Sequence, residues 1–430
     1  MHHFDRIDGA LHAEGVPLEA LAEAVGTPFY AYSTATLTRH YGLLREAVET
    51  HRASLGDALI AFAVKANSNL SVLATLARMG SGADTVSEGE IRRALKAGVP
   101  AGRIVFSGVG KSDAELAFAI EAGVRQINVE SAVELERLIG ISADVGAADR
   151  GAAPQIAIRV NPKIGAGGHA RITTGGAADK FGVPAEEAPA LYARAAASPH
   201  VTPVGLACHI GSQITMLEPL EGAFRALREM TLALRAEGFP VSRLDLGGGL
   251  GVPYHGQTDL PSIEAYVGMA AGVLDGLGVD TVFEPGRLLA ANAGVLVSRV
   301  IQVNARSDGR RFLVLDAGMN DLMRPALYDA FHDLVPVRAR EGAVGRYDLV
   351  GPICESTDVF ARDRELSPLQ AGDLVAFMSA GAYGAVLASE YNSRPLVPEV
   401  LVDGDRWAVV RKRPAHEEMW AREPRAEWLA

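Results

Sequence analysis

The stretch "LIAFAVKANSNL", residues 59–70, decides the fold. Six apolar residues run directly into Lys65, and a turn-like "ANSN" follows. A short apolar run bounded by turn signals reads as a fully buried strand. An ammonium at the end of such a strand is costly unless it has a partner or a job. Taken alone, a lysine there is most often the first solvated residue, so the rest of the chain has to decide what Lys65 does.

Working outward, the same unit recurs. Helical "SVLATLARMG" follows the first strand, with Gly80 placed to cap it. Seven more strand candidates come next: "GADTV" (82–86), "RIVF" (103–106), "RQINV" (125–129), "QIAIRV" (155–160), "VGLACH" (204–209), "RLDLGGG" (243–249) and "TVFEPGR" (281–287). Helical stretches lie between them. Ser87 with Glu90 three residues on predicts a capping box, and Ser112 and Ser131 open further helices. Strands alternating with helices imply a parallel sheet. Eight units predict an α/β fold of the (β/α)8 barrel type, with a doubly wound open sheet as the structural alternative.

After Ala290 helical periodicity becomes scarce. "GVLVSRVIQVNA" (294–305), "RRFLVLDAG" (310–318), "YDLVGPICES" (347–356), "DLVAFMSAGAY" (373–383) and "PEVLVDGDRWAVVRKR" (398–413) read as short strands separated by turns. The expected organisation is a barrel over 27–290 and a C-terminal all-β domain over 291–430, joined by the N-terminal segment 1–26. A helix from Ser33, with Leu37, Tyr41, Leu44 and Val48 on one face, leads into the barrel.

Bulk properties narrow the function classes. The 430 residues carry a net charge of −11. No Lys/Arg run stands out, so nucleic acid is not an expected partner. No stretch of 18 apolar residues occurs, so no membrane span is expected. The N-terminal "MHHFDRIDGALHAEG" is charged and lacks the apolar run of a signal peptide. The two cysteines, Cys208 and Cys354, exclude a disulfide framework and fit a reducing, cytoplasmic setting.

Catalytic groups of such barrels sit at the C-terminal ends of the strands. Here those ends carry Lys65, Asp84, His209 followed by "IGSQ", the loop "GGGLG" (247–251), and "EPGR" with Glu284 and Arg287. Phosphate often binds at the loops after strands seven and eight, where glycines let backbone N–H groups approach an anion. A glycine loop there and a lysine on strand one suggest a phosphorylated cofactor that reacts with an amine. Pyridoxal 5'-phosphate fits, with Lys65 as the Schiff-base lysine and Glu284 as an acidic partner for the pyridine nitrogen. A salt bridge to Arg287 is the plain structural alternative for Glu284.

The motifs "FAVKAN", "HIGSQ", "GGGLG" and "EPGR", in this order, resemble the fold-type III pyridoxal-phosphate decarboxylases. "RPALYDAFH" (324–332), "GPICESTD" (351–358), "GAYG" (381–384) and "EYNSRPLVPEVLV" are similar to the diaminopimelate decarboxylase family, over residues 27–415 or so. The resemblance implies decarboxylation of meso-2,6-diaminopimelate to L-lysine and CO2, the last step of lysine biosynthesis, in a homodimer with shared active sites. It implies that Lys65 forms the Schiff base, with Asp84 near it, and that His209 stacks on the cofactor ring. Ser212, Gly248, Gly249, Gly286 and Arg287 match the phosphate site, Glu284 the pyridine partner, and Tyr383 a tyrosine close to the cofactor. Arg287, Arg324 and Tyr328 match groups that hold the distal carboxylate of the substrate. Glu355 matches the residue for its distal amino group. Cys354 matches the acid that reprotonates the α-carbon, and it acts with Glu355 across the dimer interface. Otherwise Cys354 would be a small buried hydrophobe, the reading kept for Cys208.

Relatives on the same scaffold act on ornithine, arginine or carboxynorspermidine, and the layout is also shared with amino-acid racemases. A distal carboxylate clamp argues against the first group. Cys354 with Glu355 argues against racemisation. One segment departs from the family pattern: "GAGGHARITTGGAADKFG" (165–182) keeps His169, Thr173, Thr174, Gly175, Lys180 and Phe181 but lacks a threonine and a proline-tyrosine pair. A loop there is expected to be an active-site lid.

Overall fold

Strand β1 (Leu59–Ala63) is buried at all five positions, as the opening stretch requires. The chain continues through β2 (Gly82–Thr85), β3 (Ile104–Phe106), β4 (Gln126–Val129), β5 (Gln155–Asn161), β6 (Thr202–Ala207), β7 (Arg243–Asp245) and β8 (Asp280–Phe283). This is a computed structural model, and it describes residues 2–165, 180–254 and 256–429. Each strand pairs in parallel with the next. Strand β8 returns to β1, with Val282 opposite Leu59 and Phe283 opposite Ile60. That last pairing closes the sheet into an eight-stranded barrel and rules out the open-sheet alternative.

The barrel interior has two faces. On one, Leu59, Ala61, Val105 and Val282 form a small aliphatic cluster. On the other, alternate residues of β4 and β7 point inward and bond across the lumen. Asn128 Nδ2 donates to Asp245 Oδ2 at 2.9 Å, Gln126 Nε2 to Asn128 Oδ1 at 2.7 Å, and Arg243 Nη1 to Gln126 Oε1 at 3.2 Å. Buried polar groups are tolerated when they are bonded in this way. Outward-facing residues pack under helices: Phe283 meets Tyr266 of helix Ile263–Leu274 edge-on, with ring centroids 5.9 Å apart.

Ser112 and Glu115 form a complete capping box. The expected box at Ser87 is only half made. Ser87 Oγ accepts from the Glu90 N–H, but the Glu90 carboxylate accepts from Val86 N–H at 2.8 Å.

The second compact unit comprises Met1–Thr36 and Ala290–Ala430, and the barrel unit Leu37–Leu289. The N-terminal division therefore falls ten residues later than the expected boundary at 26/27. The reason is strand Phe29–Ser33, fully buried, which pairs with Gly294–Ala305 and Glu399–Asp403. The first 26 residues add three short strands and helix Leu18–Val25. Phe29, Ala31, Val295, Val297, Val400 and Val402 form the centre of this unit's core, with Leu18 and Leu21 against them. Helix Thr34–Thr50 starts where expected, and Leu37, Tyr41, Leu44 and Val48 are all buried.

Candidate active site

In the barrel unit, β1 ends in a single 3-10 turn, Val64–Ala66, that carries Lys65. Its Nζ donates to Asp84 Oδ2 at 3.0 Å. Asp84 sits on the neighbouring strand β2, opposite Ala63 in the register. The Asp84 side chain is fully buried, whereas that of Lys65 is 38 % exposed. The carboxylate thus anchors the amine from below while the amine reaches the mouth of the barrel. The other oxygen, Asp84 Oδ1, is buried with no hydrogen-bond partner.

Strands β7 and β8 supply the adjoining wall. Gly247 N–H donates to Asp245 Oδ1 at 3.0 Å, and Glu284 N–H donates to Gly247 O at 2.8 Å. The Gly248 N–H donates to His209 Nδ1 at 3.1 Å. An imidazole nitrogen that accepts carries no proton, so neutral His209 is held as the Nε2–H tautomer. Burial first, then Lys65 and Arg159, hold His209 well below the usual histidine range. Gly248 has no room for a side chain, because a Cβ would lie 2.2 Å from the carbonyl oxygen of Glu284.

Glu284 is 8 % exposed and its Oε1 has no hydrogen-bond partner. Burial, then Asp245 and Asp84, push its carboxyl well above the usual range. Asp245 is pushed up to about 6, chiefly by burial, and hydrogen-bonds to Glu284. Two carboxyl groups so close share a proton, because neither ionises readily beside the other. The nearby cations are already engaged: Lys65 with Asp84, and Arg159 Nη1 with Glu130 Oε1 at 2.7 Å. The mouth therefore has a buried acceptor oxygen and an unmet demand for positive charge. A protonated pyridine nitrogen meets both, so these residues fit pyridoxal phosphate.

Arg287 follows β8 and turns to the β6 and β7 loops. Its Nε and Nη2 donate to Ser212 Oγ at 3.2 and 3.1 Å, and its Nη1 donates to Tyr254 Oη at 3.0 Å. The alternative of a Glu284–Arg287 salt bridge is not what occupies these nitrogens. Cys208 lies buried, its thiol pushed up by burial, as the plain reading expected. Of the 165–182 loop, residues 166–179 lie outside the described residues. At its return, Phe181 packs under the Arg159 guanidinium at 4.9 Å, and Gly182 N–H donates to Glu130 Oε2 at 3.2 Å.

In the second unit, Cys354 and Glu355 are exposed on the turn after strand Gly345–Val350. The small-buried-hydrophobe alternative for Cys354 is therefore excluded. Asp358 braces this turn from inside. Its Oδ2 accepts from Ile353 N–H at 2.6 Å and its Oδ1 from Met319 N–H at 2.7 Å. Asn392 Oδ1 accepts from Cys354 N–H at 2.9 Å, and Tyr391 Oη donates to Glu355 Oε1. Arg324 opens the one-turn helix Arg324–Tyr328. Tyr383 is half-buried with φ +56°, a conformation unusual for a bulky side chain.

The structure thus gathers Lys65, Asp84, His209, Ser212, Gly248, Gly249, Glu284, Gly286 and Arg287 at the barrel mouth. Cys354 and Glu355 meet on one braced turn of the other unit. Sequence reasoning missed Asp245, Arg159, Glu90, Tyr254, Tyr391 and Asn392. Burial pushes Glu90 up to about 7, with Asp84 and Lys65 nearby.

The fold is a (β/α)8 barrel with a lysine at its mouth. Residues 41–291 match the family model for the pyridoxal binding domain of pyridoxal-dependent decarboxylases. Over 427 residues the chain is 47 % identical to diaminopimelate decarboxylase of Zymomonas mobilis, covering 99 % of both. The crystal structure of Helicobacter pylori diaminopimelate decarboxylase complexed with L-lysine superposes with a TM-score of 0.89 at 39 % identity, covering 94 % of this chain and 99 % of that one. The M. jannaschii diaminopimelate decarboxylase complexed with L-lysine gives 0.94 at 32 % identity over 100 % of both. The chain belongs to the diaminopimelate decarboxylase family.

Proposed function

We propose that the chain removes one carboxyl group of meso-2,6-diaminopimelate as CO2 and leaves L-lysine, using pyridoxal 5'-phosphate. The observation that carries this reading is the barrel mouth. An amine aimed by a buried carboxylate faces a second carboxyl that shares a proton with Asp245 and has one oxygen without a partner. When bound, pyridoxal phosphate supplies an electron-withdrawing ring that accepts the electron pair released as CO2 departs.

The chain's own residues do the rest. Lys65 anchors the cofactor and Asp84 aims its amine. Glu284 places a proton and a charge partner at the pyridine nitrogen, with Asp245 behind it. His209 stays neutral, so its ring face can pack on the cofactor without adding charge. Ser212, Gly248, Gly249, Gly286 and Arg287 would hold the phosphate, and Tyr383 would be a further cofactor-binding residue. Arg287, Arg324 and Tyr328 take the distal carboxylate, since a planar guanidinium suits bidentate carboxylate binding. Glu355 takes the distal ammonium. Cys354 Sγ delivers the proton that replaces the lost carboxyl at the α-carbon, a general-acid step.

The working form is a homodimer in which Cys354 and Glu355 serve the partner's barrel. Their exposure on a rigidly braced turn supports this. The two free thiols support a cytoplasmic setting. Among the described residues no helix is long and apolar enough to cross a membrane.

A substrate panel tests the reading. Loaded enzyme should release CO2 and L-lysine in equal amounts from meso-diaminopimelate. Faster turnover of ornithine, arginine or carboxynorspermidine would refute the substrate assignment.

A further inference from the structure

Arg324 is held by a histidine, and the hydrogen-bond directions are forced. Its Nη1 lies 2.8 Å from His332 Nε2, and His332 Nδ1 lies 3.0 Å from the Met378 carbonyl oxygen. A guanidinium only donates and a carbonyl only accepts. His332 is therefore neutral, with its proton on Nδ1 and its Nε2 lone pair directed at Arg324. Both side chains are buried.

The chain path builds this contact deliberately. Helix Arg324–Tyr328 ends at Asp329, which has φ +52°, and the chain reverses. Ala330 N–H donates back to Arg324 O at 3.3 Å. His332 then enters strand Leu334–Pro336, which pairs antiparallel with Leu374–Phe377, Leu334 opposite Phe377. Met378 N–H donates to Asp333 O at 2.8 Å, which fixes the carbonyl of Met378 beside the imidazole. Arg364 closes the strap: its guanidinium stacks on Phe331 at 4.2 Å, pairs with Asp333 at 3.4 Å, and reaches the His332 carbonyl at 3.4 Å.

A neutral acceptor orients a guanidinium without neutralising it. A carboxylate in the same place would fix the side chain but cancel the charge. We propose that His332 is a positioning residue that aims Arg324 at the distal carboxylate of the substrate, and so sets the preference for substrates carrying that group. The proposal rests on the substrate reading above, and it assigns His332 no contact with the reacting atoms.

Two variants of the holoenzyme separate this role from a structural one. In His332→Gln the longer amide can present an oxygen near the Nε2 position and keep Arg324's acceptor. In His332→Asn the shorter amide can keep the Nδ1-side bond to Met378 and lose the acceptor. The Asn variant should raise KM for meso-diaminopimelate about ten-fold with kcat little changed. The Gln variant should stay close to wild type. Calorimetric titration should show cadaverine, which lacks the distal carboxylate, binding all three proteins alike, and L-lysine, which keeps it, binding the Asn variant about ten-fold more weakly.

A benign Asn variant and a damaged Gln variant would show that the Met378 bond is what matters, and would overturn the proposal. Equal damage in both, or a loss of cadaverine affinity in the Asn variant as large as that of L-lysine, would overturn it as well. If the wild type itself does not bind L-lysine more tightly than cadaverine, the distal clamp falls, and the substrate reading falls with it. A preference in the wild type that survives intact in His332→Asn refutes the role of His332 alone.

Discussion

The barrel mouth and the Cys354 turn hold their functional groups by opposite means. At the mouth, charged side chains bond to buried polar partners: Lys65 to Asp84, Asp245 to Asn128, Arg159 to Glu130. There the low dielectric strengthens each contact. At the turn, Cys354 and Glu355 are exposed, and what is fixed is the backbone beneath them, through Asp358 and Asn392. The first arrangement tunes charge. The second sets position and leaves the side chains open to whatever they serve. A cofactor site needs the former, and a residue acting on a neighbouring molecule needs the latter.

Breaking the mouth should have the largest effect. Lys65→Ala removes the amine that anchors an aldehyde there, so turnover should fall by more than about 10³-fold. Visible absorbance on adding pyridoxal phosphate should be lost with it. Cys354→Ala should lower kcat about 10²-fold while the cofactor absorbance persists. Equal loss of absorbance would place the cysteine in cofactor binding instead.

Asp358→Ala tests the brace. It leaves the buried amide of Ile353 and the half-buried amide of Met319 without an acceptor, which should cost about 2–3 kcal/mol in urea unfolding. Asp358→Asn should recover part of that.

The smallest effect concerns the proton shared by Asp245 and Glu284. A carboxyl whose pKa is raised on folding stabilises the fold below its unfolded value, about 4. That contribution is lost as pH rises through the folded value, about 6 for Asp245, with Glu284 shifted in the same direction. His209 is shifted down and works in the opposite sense, gaining stability as pH rises through about 6.5. The difference between wild type and Glu284→Gln, both without cofactor, isolates the carboxyl. The variant should become relatively more stable as pH rises from about 4 through 7. Parallel melting curves would show that Glu284 carries no such proton.

How much of this was legible in the sequence follows from what each feature depends on. The eight barrel strands were, because each is a local apolar run with its own turn signals. Lys65, Glu284 and the glycine loop were, because strand ends are local too. Strand Phe29–Ser33 was not: "FYAYS" is short, and its partners lie more than 250 residues away in the chain. Asp245 hides inside "RLDLGGG" as one polar residue of an alternating strand. Only closure of the barrel brings it to Asn128, 117 residues away, and to Glu284. His332 and Asn392 lay within quoted motifs, but their roles are hydrogen bonds across turns with left-handed residues, at Asp329 and at Asn392 itself. Apolar periodicity does not report such turns.

The central claim is that the two half-sites complete each other between copies of the chain. Mixing Lys65→Ala with Cys354→Ala protein, after dissociation and reassembly, tests it most directly. Each variant alone should be nearly inactive, and an equal mixture should recover about a quarter of wild-type activity, because half the dimers are mixed and each has one intact site. A mixture no more active than the variants measured separately would contradict the shared site.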